Sequence, residues 1–125
     1  MPALEKHAMI LMIEAFVEKH GGNFSDYYIG ITKNKDTRLF IQHNVKKKDD
    51  IWMCEEAADI ATARAVESYF IDLNIDGGSG GGDDDSKFVY VYKKTKLTKE
   101  NIEYGDTVSF FDFVQKTKND NDNIL

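Results

Sequence analysis

The chain contains few of the residues that mark disulfide-rich or zinc-bound small proteins. Its 125 residues include one cysteine, one proline and three histidines. A single cysteine, Cys54, excludes a disulfide framework and indicates a reducing compartment. The histidines and Cys54 do not stand at the spacing of zinc ligands, so no structural zinc site is expected.

Long apolar runs are also absent. The run at residues 8–13 is too short to span a bilayer and has charges on both sides, and the N-terminus lacks a signal-peptide layout. We therefore expect a cytoplasmic protein that has no membrane partner. The length suits one domain, predicted over residues 1–115, with a flexible tail at residues 116–125.

Positive charge is scarce and unevenly placed. The formal net charge is −6, which argues against tight, sequence-blind binding of nucleic acid, because such binding rests on lysine and arginine meeting phosphates. Two lysine clusters nevertheless stand out: Lys46, Lys47 and Lys48, and Lys93, Lys94, Lys96 and Lys99. If both clusters flank one cleft, a phosphate backbone can lie across them. Otherwise they are solvated ends of loops and strands.

Apolar patterns of helix and strand type alternate along the chain. Apolar residues at helical spacing predict helices, and β-branched and aromatic runs predict strands. The predicted helices are residues 2–19, 37–43 and 59–74, and the predicted strands are residues 27–32, 51–54 and 88–93. We expect an α+β fold with a small, mainly antiparallel three-stranded sheet flanked by three helices. Residues 108–114 are predicted to form a last strand or helical turn.

The first predicted helix is apolar almost all the way round in its middle, AMILMIEAFV. Such a helix packs on two sides or against another subunit, so a homodimer through this helix is one expected arrangement. Met9 and Met12 are expected to fill the core, since methionine adapts to irregular gaps.

One carboxylate, Glu67, falls on the apolar side of helix 59–74. The apolar residues of that side are Ile60, Ala63, Val66, Phe70 and Leu73. A carboxylate in this position is costly unless it is paired, hydrogen-bonded or bound to a metal. Glu67 is therefore either a boundary residue that leans to solvent or meets an arginine, or a working carboxylate in a site.

Three further features suit the recognition of phosphate. Arg38, one of only two arginines, follows a strand and offers a rigid fork that lysine cannot reproduce. The glycine-rich segment 77–85 (GGSGGGDDD) is either a flexible connection or a loop that faces a phosphate or a metal. His43 is either a base or water-positioning residue or an ordinary C-terminal helix residue. At 3.6 residues per turn it lies roughly 140° from Arg38, so the two share a face only if the helix ends before His43.

Together these residues resemble the GIY-YIG nuclease family. Tyr28, Ile29 and Gly30 form the YIG half of the family's name, and Arg38 follows at the spacing of its helix arginine. The sequence ARAVESYFI is similar to the family's later helix, whose glutamate binds a divalent metal. The resemblance covers residues 27–74. It implies that Glu67 holds Mg²⁺, that Arg38 stabilises a phosphate, and that Tyr28 orients or activates water.

The GIY half of the motif is missing, because the residues before Tyr27 (HGGNFSD) have the character of a loop. The strand at residues 88–93 offers a replacement, since Tyr90 or Tyr92 can enter the sheet beside Tyr28. With one of these tyrosines or His43 positioning water, the resemblance implies a small metal-dependent nuclease that cleaves a phosphodiester in nucleic acid.

Two alternatives stay open. A GIY-YIG-like binding module without catalysis would take a nucleotide, a phosphate ligand or a protein partner, and could act as an inhibitor or sponge in a phage–host conflict. A structural or regulatory domain would instead dimerise through its first helix. Convergence of Tyr28, Arg38, Glu67 and a second tyrosine favours the nuclease. A lysine or arginine in the place of the metal favours the binding module.

Overall fold

The computed structural model describes residues 3–78 and 86–100. The elements follow the predicted order: α1 at Lys6–His20, β1 at Tyr27–Thr32, a π-helical turn at Thr37–Gln42, β2 at Trp52–Glu56, α2 at Ile60–Asp72 and β3 at Phe88–Lys93. The largest difference in bounds is at α1, which begins at Lys6 rather than at residue 2. The predicted segment 108–114, the tail at 116–125 and residues 79–85 of the glycine-rich segment lie outside the described residues.

The predicted three-stranded antiparallel sheet is confirmed, with the strand order β1-β3-β2. The last strand in the chain, β3, lies in the centre and pairs with both earlier strands. Tyr28 pairs with Tyr92 and Gly30 with Tyr90 across β1 and β3. Both strands have their predicted bounds, whereas β2 begins at Trp52 and continues to Glu56, past the predicted end at residue 54.

The two faces of the sheet pack against different layers, because side chains alternate along each strand. One face packs against α1 and α2 and forms the larger core, to which the strands contribute Ile29, Ile31, Val89 and Val91. The other face carries Tyr28, Tyr90 and Tyr92, and Leu39 and Val45 cover it from the π-helical turn and the loop that follows. The candidate site residues of the strands and of the π-helical turn gather in this second, aromatic layer, whereas α2, which carries Glu67, packs on the first face.

α1 packs against the rest of the described chain with one side only. Met9 and Ile13 are buried, whereas Leu11 is 53% exposed and Met12 is 39% exposed. The expectation that Met12 fills the core is therefore wrong, because a helix that lies on a sheet buries a single stripe. The homodimer through α1 stays a prediction. Within residues 3–78 and 86–100, neither α-helix has the length and apolar character that crossing a membrane requires.

Candidate active site

Three tyrosines from β1 and β3 lie side by side on the aromatic face of the sheet. The rings of Tyr28 and Tyr92 stack with centroids 5.4 Å apart, and those of Tyr28 and Tyr90 stack 6.4 Å apart. β3 therefore places two tyrosines beside Tyr28 of the YIG segment. Both predicted alternatives, Tyr90 and Tyr92, occupy this place, and both are buried.

Gly30 leaves the space that Tyr90 occupies. A Cβ added at Gly30 would lie 2.9 Å from Tyr90 Cε2 and closer still to the Tyr90 hydroxyl, an approach that real Cβ atoms essentially never show. The glycine of the YIG segment thus allows the ring of its cross-strand partner to pass over β1.

We expect Gly30→Ala to displace Tyr90 and to lower the free energy of unfolding by about 1–3 kcal/mol, the usual cost of overpacking a core. Gly78→Ala is the matched control, because its added Cβ would lie 3.5 Å from the Tyr28 hydroxyl, which is an ordinary contact. Urea denaturation of both variants measures the difference. A Gly30→Ala midpoint equal to that of the wild type would contradict the close packing of Tyr90 on Gly30.

The π-helical turn brings Arg38 and His43 to the same side. The backbone N–H of His43 donates to the Arg38 carbonyl oxygen at 2.9 Å, which is the i→i+5 pattern of a π-helix. Residues five apart then follow one another on adjacent turns, whereas in an α-helix they point roughly 140° apart. The helix predicted at residues 37–43 is therefore a π-helical turn, and its geometry lets both side chains reach Tyr90.

Arg38 is buried, with 7% of its surface exposed. Burial is the main influence on Tyr28 and Tyr90 and raises the pKa of both phenols. The Arg38 charge opposes this effect at both tyrosines, and a hydrogen bond from its side chain adds to the opposition at Tyr90. Both phenols are therefore neutral at pH 7, and the Tyr90 oxygen accepts from a guanidinium group.

Glu67 lies on the buried side of α2, as the apolar stripe predicts, and is 4% exposed. Asp59 caps the start of this helix by accepting a hydrogen bond of 2.7 Å from the Thr62 N–H. Burial raises the pKa of Glu67 to about 7, and the charges of Arg64 and Arg38 oppose the rise without cancelling it. The charges of both arginines act on Glu67, but desolvation is the larger influence on its pKa.

His43 is fully buried behind the tyrosines. Its Nε2 lies 2.7 Å from the Tyr90 hydroxyl, and its Nδ1 lies 2.6 Å from the Lys99 carbonyl oxygen and 3.0 Å from the Tyr92 hydroxyl. The Tyr92 hydroxyl in turn donates to Glu100 Oε2 at 2.9 Å. Burial lowers the pKa of His43 to about 4, so the imidazole is neutral at pH 7.

Five of the predicted site residues form one connected cluster, and Glu67 acts on it through its charge. The five come from β1, the π-helical turn and its end, and β3: Tyr28, Arg38, His43, Tyr90 and Tyr92, whereas Glu67 comes from α2. The charges of Arg38 and Glu67 act on the same two phenols, Tyr28 and Tyr90. Of the six residues only Tyr28 is partly exposed, so the cluster meets solvent beside Tyr28.

The beginning of the glycine-rich segment borders this opening. The Ile29 N–H donates to the Asp76 carbonyl oxygen at 2.8 Å, and the Asp76 N–H donates to the Tyr27 carbonyl oxygen at 3.0 Å. The chain at Asp76 therefore runs alongside β1. A hydrogen bond from the Gly78 backbone reaches the Tyr28 hydroxyl and lowers its pKa against the larger effect of burial.

Three contributors to the cluster are absent from the prediction made on the sequence: Arg64, Glu100 and the carbonyl group of Lys99. Arg64 precedes Glu67 by three residues on α2, a spacing that makes helix side chains neighbours, so the sequence did contain this signal. No local pattern marks Lys99 or Glu100, because they meet His43 and Tyr92 only through the fold.

Glu67 is the one carboxylate among the predicted site residues. In the described part of the chain, no group of three or more His, Cys, Asp or Glu residues is placed to hold a metal ion. A closed structural metal site is therefore not formed by these residues. Mg²⁺ is commonly held by one or two carboxylates together with substrate phosphates and water, and a single glutamate fits that mode of binding.

Comparison with known proteins gives no match: no family model, no curated protein and no solved structure is similar to this chain. The GIY-YIG resemblance therefore rests on the residues and their arrangement. Function has to be argued from the chemistry of the cluster, because a fold by itself does not determine an activity.

Proposed function

We propose that the protein is a small Mg²⁺-dependent nuclease of GIY-YIG type that hydrolyses a phosphodiester. The main support is that a buried arginine and a buried glutamate, from two different elements, act on the same two phenols, Tyr28 and Tyr90. Stability alone does not explain Arg38 and Glu67, because well-packed apolar residues of similar volume are often no less stable than buried charges.

Arg38 would bind the phosphate undergoing attack. Its planar guanidinium can donate two parallel hydrogen bonds to phosphate oxygens, and it stays charged at every working pH. Burial excludes water from the guanidinium, which strengthens its electrostatic interaction with charge that develops in the transition state.

Glu67 would hold the metal together with the substrate phosphate. When bound, Mg²⁺ supplies positive charge at the phosphate oxygens and makes a bound water more acidic. The carboxyl group must be ionised to bind a metal. Because its pKa is about 7, Glu67 is ionised in a substantial fraction of molecules at neutral pH.

Tyr28 and Tyr90 would orient the attacking water. Tyr28 is the partly exposed member of the cluster and so the first to meet a substrate that arrives from solvent. Tyr90 lies deeper, where Arg38 and His43 hold its hydroxyl on both sides. Fixed hydroxyl groups lower the entropic cost of bringing water into line with phosphorus.

The two lysine clusters are neighbours in the fold, which supports a nucleic-acid substrate. The Lys99 N–H donates to the His43 carbonyl oxygen at 2.7 Å, and the Asn44 side chain donates to the Leu97 carbonyl oxygen at 3.0 Å. Segments 43–51 and 93–99 therefore run together at the His43 end of the cluster. They carry seven lysines and two aspartates in a chain whose net charge is −6.

The lysines of these segments are not equivalent. Lys94 pairs with Asp76 at 3.3 Å, and Lys93 donates to the His20 carbonyl oxygen at 3.3 Å. The other five are exposed: Lys46, Lys47, Lys48, Lys96 and Lys99. This local excess of positive charge would attract a polyanion to a protein that repels it elsewhere.

Replacing Lys46 and Lys48 with glutamine is expected to weaken binding of nucleic acid and to raise KM with little change in kcat. The slope of log affinity against log salt should fall by about 2, one for each phosphate that a lysine no longer neutralises. The matched control is the same change at Lys6 and Lys19 on α1, which packs on the other face of the sheet. Equal salt slopes for the two double variants would contradict the role of the lysine segments.

A second candidate is a phosphate-binding module without catalysis, for a nucleotide or another phosphate ligand. One observation favours it: both arginines of the chain act on the single carboxyl group of Glu67. Guanidinium groups bind phosphate oxygens directly, so this mode of binding does not require a metal.

A Mg²⁺ titration with a mixed panel of DNA, RNA and mononucleotides separates the two candidates. The nuclease requires metal for cleavage, and Glu67→Ala should abolish that cleavage. The binding module instead shows ligand binding without cleavage, and this binding does not depend on Mg²⁺.

A further inference from the structure

We propose that His43 is a positioning residue, which draws the hydroxyl proton of Tyr90 toward itself and so presents the Tyr90 oxygen to the Arg38 side of the cluster as a hydrogen-bond acceptor. The expected effect on cleavage rests on the proposed function. The hydrogen bonds that define the role are properties of the fold alone.

The Lys99 carbonyl determines which nitrogen of His43 carries the proton. A carbonyl oxygen can only accept, and it lies 2.6 Å from Nδ1, so Nδ1 must be the protonated nitrogen. The ring is fully buried, and burial keeps it neutral at pH 7, so it carries one proton only. Nε2 is therefore bare and can only accept a hydrogen bond.

The bare nitrogen determines the direction of the Tyr90 hydroxyl. Nε2 lies 2.7 Å from this hydroxyl, so the Tyr90 O–H donates to His43. The phenol has one proton and two lone pairs. With its proton committed to His43, the Tyr90 oxygen accepts from Arg38 and keeps a further lone pair for another donor, such as a water molecule.

The hydrogen bonds of Tyr92 are consistent with a proton on Nδ1 of His43. Its hydroxyl donates to a carboxylate oxygen of Glu100 at 2.9 Å, which leaves its own oxygen free to accept. His43 Nδ1 lies 3.0 Å from that oxygen, and its proton is then shared between Tyr92 and the Lys99 carbonyl. Every described partner of the ring thus favours the same tautomer.

The consequence for the site is a tyrosine that accepts rather than donates. A phenol without a fixed acceptor can rotate and donate its proton to a phosphate oxygen. A phenol held by His43 accepts a hydrogen bond from water and holds the water oxygen for attack. The logic is that of a catalytic triad, in which a third group fixes the imidazole and the imidazole directs a hydroxyl.

The nitrogen resonances of His43 test the proposal directly in the unmodified protein. In ¹⁵N-labelled wild type at neutral pH we expect a protonated Nδ1 and a bare Nε2. In Tyr90→Phe the Nε2 resonance should shift, because it loses its donor, while the resonances of the exposed His7 stay unchanged. An Nε2–H tautomer, or a doubly protonated ring, would overturn the proposal whatever the activity.

Kinetics supply a second test. His43→Phe and Tyr90→Phe should each lower kcat by about 10²-fold with little change in KM, and the double variant should be no slower than either single variant. His43→Gln should restore most of the rate, because its side-chain carbonyl can accept from the Tyr90 hydroxyl. Losses that multiply in the double variant would overturn the proposal and indicate two independent structural effects.

The two proposals fail in different ways. A protein that shows the expected tautomer but cleaves nothing overturns the nuclease and leaves the positioning of Tyr90 in place. A protein that cleaves with Mg²⁺ but shows the Nε2–H tautomer overturns the positioning role and leaves the nuclease in place.

Discussion

Replacing Glu67 with glutamine should abolish cleavage and stabilise the folded protein at pH 8. The pKa of Glu67 is about 7 in the folded protein, against an ordinary value of 4.5. The folded state therefore holds this proton more tightly, and the stability it contributes is lost as the pH rises from about 4.5 through about 7. The difference of pKa corresponds to roughly 3 kcal/mol, and glutamine avoids this loss because it has no proton to give up.

Chemical denaturation of both proteins at pH 5 and pH 8 measures this effect. Glu18→Gln is the matched control, since Glu18 is exposed on α1, and it should follow the wild type at both pH values. If Glu67 were mainly an ion-pair partner of Arg38 or Arg64, its removal would leave a buried cation without its counter-charge. Glu67→Gln would then be less stable than the wild type at pH 8, which would contradict the account.

Arg38→Lys is expected to lower kcat by about 10²–10³-fold, the usual loss when one preorganised donor to a developing charge is removed. Lysine keeps the positive charge but replaces the planar fork by a single point of contact, so it cannot hold two phosphate oxygens at once. It also withdraws the guanidinium hydrogen bond from Tyr90.

The chain offers a natural control, because Arg64 is its only other arginine. Arg64→Lys keeps a positive charge three residues from Glu67 on α2 and should change kcat by less than about threefold. Steady-state cleavage by both variants makes the comparison. Equal losses in the two variants would contradict a special role for the planar fork of Arg38.

Much of the fold is predictable because the residue types within a segment and the polar residues that bound it indicate the same element. β1 and β3 are runs of aromatic and β-branched residues bounded by polar segments, and their bounds follow from the sequence. The strand order β1-β3-β2 does not follow, because it depends on pairing between segments far apart in the chain. The exposed side of α1 could not be predicted either, because the sequence of an apolar helix does not show which of its sides packs against the sheet.

The candidate site is likewise predictable in part: local patterns in the sequence indicate some of its features, and the tertiary fold determines the others. The burial of Glu67 is predictable from the apolar stripe of one helix. The place of Tyr90 and Tyr92 beside Tyr28 is predictable because residues 88–93 have a clear strand pattern and the GIY segment before Tyr27 is missing. The meeting of Arg38 and His43 does not, because apolar spacing over seven residues cannot distinguish a π turn from an α turn. The network through Lys99 and Glu100 depends on the tertiary fold and has no signature in sequence.

We propose that Glu67 is a buried carboxylate kept for chemistry at a cost in stability. The most direct test measures melting and Mg²⁺-dependent cleavage on the same preparations of wild type and Glu67→Gln at pH 8. We expect the variant to melt at a higher temperature and not to cleave, and we expect the wild type to cleave only with Mg²⁺. A variant that melts earlier, or that cleaves as fast as the wild type, would show that Glu67 has no such role.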